Sequence, residues 1–412
     1  MRLAESAAAP RLAVIMGDEG LRLFFPPAAL HGALWPFLWT VLYGLDMPVG
    51  GDMPPSLWHA TEMIFGTYGA ALIGFITTAI PEWTDRPRPK GRTLFALAGL
   101  WGVGRIAGLI GNDMLGILGG LADSLWLLAL VAYVARSWIA RPHVRLFAPL
   151  FWLGGLAAAG IVVRAAFALG DAALAHETIL IAGLMFLGLL GVVLARVTVP
   201  VTNLVLDPSE VTSPYRPHPG RINLAPGLVL VVVLAQIAGL SPAVTGFLFI
   251  ASGAAFMDRV AEAFVGKEAF RPEIVALSCS SMFSGAGLIL VGASRLGAPF
   301  SETPALHLAL MGGLGIGVLS IFAIAGLMHT GRRLPLPRLA VIALVLMAAA
   351  VLLRVLPELG VLPWPPGPPY ALAAVTWATA FLLWLRGYWP FLSTPNAEGD
   401  GCGDRELSPA SG

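Results

Sequence analysis

The chain has 412 residues, of which 57% are hydrophobic and only 12% charged. So few charged side chains could not cover the surface of a soluble domain of this size, so lipid is the solvent for most of the chain. With 25 Lys and Arg against 24 Asp and Glu, the formal net charge of +1 supplies no basic face for tracking phosphates. This argues against nucleic acid as a partner and leaves specific anion binding inside a helical bundle open.

A hydrocarbon core of roughly 30 Å needs about 20 apolar residues of helix. The sequence supplies about twelve such runs, near 24–45, 58–80, 94–111, 115–135, 146–169, 178–200, 224–243, 244–265, 273–296, 304–329, 337–358 and 369–391. The expected fold is therefore an all-α polytopic membrane bundle. Its layout is an N-terminal segment over 1–23, a twelve-helix domain over 24–391 and a disordered tail over 392–412, rich in Gly, Ser and Asp. The first run is long enough to span rather than be removed, so no cleavable signal peptide is expected.

Lys and Arg stay on the cytoplasmic side of a membrane. Arg2, Arg11 and Arg22 precede the first run, and every second loop is basic, with Arg86, Arg88, Lys90 and Arg92, then Arg136, Arg141 and Arg145. The series continues through Arg216 and Arg221, Lys267 and Arg271, Arg332, Arg333 and Arg338, and ends at Arg405. The intervening loops carry no Lys or Arg, which places both termini in the cytoplasm. Cys279 and Cys402 suggest no disulfide, and the absence of Cys-x-x-Cys-His means any haem is held non-covalently. The run Gly312-Gly313-Leu314-Gly315-Ile316-Gly317 reads as close helix packing, because it follows no strand that would make it a phosphate loop.

Ionisable residues are costly in a bilayer and face the protein interior, so function is sought among them. The topology places His59, Glu62, His176, Glu177 and His307 at the outer face, with Arg105, Arg164, Arg295, Arg354 and Asp123 in the outer half. His329 lies about 22 residues after His307, roughly 33 Å along a helix, and belongs to an inner group with His31, Arg196, Asp258, Arg259 and Glu262. His143 and His218 fall in basic cytoplasmic loops and read as solvated.

His59, Glu62 and Met63 project from one helix face, and His307 with Met311 repeats the four-residue spacing. Imidazole and thioether together suit copper, although methionine is also a common core filler. His59 and His307 read either as axial ligands of haem between facing helices or as interfacial histidines bonded to a carbonyl or to Glu62. The four arginines either neutralise haem propionates or an anionic substrate, or pair with Asp123, Glu62 and Asp113. No Ser/His/Asp set or His-Glu-x-x-His helix is present, which argues against hydrolysis, and no motif assigns enzymatic turnover.

The segments Trp58-His59-Ala60-Thr61-Glu62-Met63-Ile64-Phe65-Gly66 and Gly74-Phe75-Ile76-Thr77-Thr78-Ala79-Ile80-Pro81-Glu82-Trp83-Thr84 resemble the signature of the NnrS family. The resemblance continues at Arg196 to Pro200, Thr202, Asn203, His307, His329-Thr330-Gly331-Arg332 and Arg386-Gly387-Tyr388-Trp389-Pro390. It implies a twelve-span protein of the bacterial cytoplasmic (inner) membrane, containing haem and copper and linked to nitric oxide stress and denitrification. His59, Glu62, Arg196, His307, His329 and Arg332 carry over as the family's polar residues. Thr61 stands where the family usually has a second histidine, and Glu82 and Asp85 replace the usual asparagine and glycine.

The expectation is a haem protein, with copper as a further cofactor, that acts on nitric oxide or a metal-nitrosyl; His59 and His307 are the ligands and Glu62 orients His59. The alternatives are a cofactor-free carrier for an anionic or metal-complexed substrate, and an assembly factor for a respiratory enzyme.

Overall fold

The structure is a computed structural model that describes residues 11–44, 54–110, 113–142 and 144–395. A short helix α1 (Leu12–Met16) leads into twelve longer ones: α2 (Gly20–Gly44), α3 (Pro55–Thr84), α4 (Arg92–Ile110), α5 (Asp113–Ala140), α6 (Val144–Leu169) and α7 (Ala172–Leu206), followed by α8 (Arg221–Ile237), α9 (Pro242–Asp258), α10 (Pro272–Arg295), α11 (Glu302–Met328), α12 (Arg338–Val355) and α13 (Ala371–Leu392). No strand occurs among the described residues. The chain is an all-α, multi-pass membrane protein.

Each expected run falls on one of the twelve helices, and among the described residues nine helices are long and apolar enough to cross a membrane. α8 is shorter, α2 carries Arg22, His31 and three prolines, and α4 carries Arg92 and Arg105. Boundaries shift where local chemistry sets them. Ser241 caps α9 by accepting from the Val244 amide, and Gly239 turns the chain at φ +65°, so the seventh and eighth runs divide at 238–241 rather than at 243. Asp171 caps α7, which absorbs the loop expected over 170–177. The tail beyond 395, with Cys402 and Arg405, lies outside the described residues, as do residues 1–10, His143 and the side chain of Asp113.

Helices adjacent in sequence pack together, and α13 packs against α2, which closes the circuit. Three helices lie at the centre: 89% of the apolar window of α3 is buried and 83% of those of α7 and α11, whereas the other six of the nine apolar spans found among the described residues lie between 39% and 56%. These central helices are each four apart in chain order, so each run of four helices from α2 onward sends its second member inward. α7 packs against the N-terminal part of α3 and against α11.

Both α3 and α11 change winding where they cross the centre. Glu62–Thr67 in α3 and Leu308–Gly315 in α11 are π-helical, a rare local form that disturbs the regular carbonyl ladder. In lipid the disturbed carbonyls need other donors. Trp101 Nε1 donates to Gly66 O (3.0 Å), Tyr68 to Leu310 O (2.9 Å) and Ser280 to Gly313 O (2.7 Å). A Cβ on Gly313 would come 2.1 Å from Ser284 Oγ, so glycine there is what lets α10 approach α11, as the glycine run leads one to expect.

Candidate functional site

His59 closes the last α-helical turn before the π segment of α3, and His307 stands immediately before that of α11. Their rings face one another nearly parallel, with centroids 6.5 Å apart and planes 12° from parallel. That separation lies within the range over which aromatic rings pair, and it brings two imidazoles from different central helices together at one depth. Trp39 lies 5.2 Å from His59, its ring 22° from parallel.

The donor set suits a metal. His307 Nδ1 donates to the Thr303 carbonyl at 2.8 Å, which leaves Nε2 with its lone pair free to ligate, the arrangement that orients metal-binding imidazoles. His59 Nδ1 is buried with no hydrogen-bond partner. Arg354 is close enough for its charge to act on both imidazoles. It bonds Glu358 at 2.6 Å, lies 4.0 Å from the centre of the Tyr370 ring, and that tyrosine donates to the same carboxylate.

Glu62 does not orient His59. It belongs to a buried ionic network that threads five consecutive helices, α2 to α6. Arg105 Nη1 donates to Glu62 Oε2 at 2.9 Å and Nη2 to Asp123, Arg164 donates to the same Asp123 oxygen, and Trp126 Nε1 donates to its other oxygen at 2.9 Å. Two carboxylates thus face two guanidinium groups.

His31 joins this network rather than the inner group around His329. Its Nε2 is 3.3 Å from Glu62 Oε2 and its Nδ1 2.8 Å from the Thr67 hydroxyl, with the ring stacked on Trp35 at 4.2 Å. A Cβ on Gly66 would lie 2.4 Å from the His31 ring, so the π segment must carry glycine there. α2 begins at Gly20, which sets His31 about 11 residues into its helix, near mid-depth, and level with Glu62. The Thr67 hydroxyl also points at Met63 Sδ (3.8 Å), which ties that thioether to the network side of α3. Met311 is half-buried beyond His307 in the π segment.

The arginines assigned to propionates or anions are paired. Arg105 and Arg164 lie in the network, and Arg295 binds Glu302 (2.9 Å), Gln236 (2.6 Å) and Thr245 (3.0 Å). His176 and Glu177 are exposed on α7, apart from the histidine pair.

At the other end of the molecule His329 caps α11 between two carboxylates. Its Nδ1 is 2.8 Å from Glu19 and its Nε2 3.5 Å from Glu82, so one ligand-type atom from each of the three residues falls within 4.8 Å of the others. Arg88 binds both carboxylates at 2.7 and 3.0 Å and already fills the place of a cation. Burial acts to lower the His329 pKa, but the hydrogen bond and charge of Glu19 and the charge of Glu82 outweigh it and raise it from its ordinary value. Two carboxylates, one guanidinium and an imidazolium balance.

The remaining inner residues lie elsewhere: Asp258 pairs with Arg221 at 2.7 Å, Arg259 lies 3.5 Å from Glu262 and donates to Gly191 O, and Arg196 sits over Trp83 at 4.7 Å. Arg332 stacks over Phe391 at 3.8 Å. Glu19, which immediately precedes α2, and His31, within α2, are the polar residues whose roles the sequence does not reveal, because the apolar run places the start of that helix near 24 rather than at Gly20.

No curated protein matches the chain significantly. The family model of the NnrS protein matches residues 16–396, which include His59, the π segments and His307. By that match, spanning nearly the whole chain, this multi-pass membrane protein belongs to the NnrS family.

Proposed function

We propose that the chain is a cofactor-holding protein of the bacterial cytoplasmic membrane, with twelve spans and both termini inside, that acts in the response to nitric oxide stress or in denitrification. His59 and His307 hold haem iron non-covalently between α3 and α11, and copper is the other metal whose chemistry the pair suits. The observation that carries this reading is the facing of two imidazoles from different central helices at 6.5 Å, one with its Nδ1 committed to a carbonyl and the other with a buried, unpartnered nitrogen.

Bound there, the metal would supply a redox-active centre reactive toward nitric oxide or a metal-nitrosyl. The chain's own residues do the rest. Thr303 sets the His307 tautomer, and the paired charges of Glu62, Arg105, Asp123 and Arg164 hold α2 to α6 in register beside the pair. Arg354 and Glu358 place a charged pair at its edge. Thr61, which replaces a family histidine, donates to the Leu57 carbonyl at 2.8 Å and so spends its hydroxyl on its own helix. Against the carrier reading, each of the four arginines proposed to receive an anion already bonds a carboxylate.

Pyridine hemochrome and copper analysis of the detergent-purified protein test the proposal. Stoichiometric haem or copper in the parent, lost in His59→Ala and in His307→Ala, supports it. A colourless, copper-free parent from haem- and copper-replete cells, folded by circular dichroism, would overturn it.

A further inference from the structure

A cavity of about 50 Å³ lies at the middle of the bundle between α2, α3, α7 and α11. On the same measure a single water needs roughly 10–15 Å³, so size alone would admit water. Chemistry does not. The lining comes from side chains such as Phe25, Ala71, Phe186, Leu314 and Phe322, and its one hydroxyl, Tyr68, already donates to Leu310 O. A buried water needs two to four polar partners, and none is offered here.

The cavity is partly open rather than sealed, and its lining atoms forgo dispersion contacts that a close-packed core would supply. Here the void sits at the meeting of the three most buried spans, where packing should be tightest. Phe75, half-buried while the other lining residues are buried, is the least covered part of the wall.

We infer that this cavity is a binding site for a small apolar molecule of the size of xenon or a diatomic gas, drawn from the hydrocarbon phase. Such molecules partition into lipid, need no hydrogen-bond partners and gain the dispersion contacts that the empty lining lacks. Tyr68 belongs both to the cavity wall and, through Leu310, to the π segment that follows His307, so an occupant touches a residue that reports to the histidine layer. The inference rests on the void alone and stands whether or not the histidines hold a metal.

Anomalous diffraction from xenon-pressurised crystals of the detergent-solubilised chain tests it. The parent should show one xenon peak among Ala71, Phe186 and Leu314, and Ala71→Leu, which fills the space, should lower its occupancy at least tenfold while leaving the melting temperature unchanged or higher. Val193→Phe, from the opposite wall, serves the same purpose if Ala71→Leu does not fold. No peak in the parent, a peak undiminished in a folded filled variant, or an acyl chain occupying the cavity before pressurisation would overturn the inference.

Discussion

At the level of single residues the bundle is held by charges that sequence spacing could place at similar depth but could not pair. Asp123 accepts from Arg105, Arg164 and Trp126 at once, and none of these partners is close to it on one helix face except Trp126. Removing one member of a buried ionic group strands the others and costs about 3–5 kcal/mol. Asp123→Ala should therefore lower the melting temperature of the purified protein far more than Asp258→Ala, whose half-exposed partner is Arg221; equal shifts would contradict a buried network. His329 makes a different prediction. Its pKa is raised in the folded state, so its contribution to stability is complete below the ordinary histidine value of about 6.5 and is lost as pH rises through the folded-state value. The gap in melting temperature between parent and His329→Gln should be widest at about pH 6 and shrink as the pH is raised through the folded-state value; a gap that widens with pH would show that the imidazolium is not what holds Glu19 and Glu82.

At the level of elements, the run of apolar residues sufficed to find the helices, because hydropathy over about 20 residues is a long-range average. The π segments were not legible. Winding depends on which neighbours supply donors to the loosened carbonyls, and Trp101, Tyr68 and Ser280 reach theirs from other helices. Tyr68→Phe removes one such donor. Side-chain hydrogen bonds inside membranes average about 0.6 kcal/mol, so a small loss of stability is expected, accompanied by a changed environment at His307, three residues before Leu310. A histidine NMR resonance of His307 that does not move in Tyr68→Phe would sever that link. The misplacement of His31 has an equally local cause: the apolar run begins near 24, after Arg22, whereas the helix begins at Gly20 and carries Arg22 inside it, which moves His31 toward mid-depth.

At the level of the whole molecule, one helix in four turns inward, and the two histidines come from the first and third of these central helices. Depth along the helix axis was legible in the alternation of basic loops; azimuth around the bundle was not, since hydropathy says which helix is apolar and not which neighbours it meets. Thus His59 and His307 were legible as a pair, whereas Glu62 was assigned to the wrong histidine. The twelve-span topology predicts that single cysteines placed at 88 and 362 label from opposite sides of the membrane; labelling from the same side would require an odd number of spans to be removed between them. The account's central claim, that His59 and His307 together hold one cofactor, is tested most directly by cofactor stoichiometry in parent, His59→Ala, His307→Ala and the double variant. If both rings ligate the same metal, each single variant loses most of it and the double variant is no worse than either; if one single variant retains full loading while the other does not, or if losses simply add, the two histidines do not share a site.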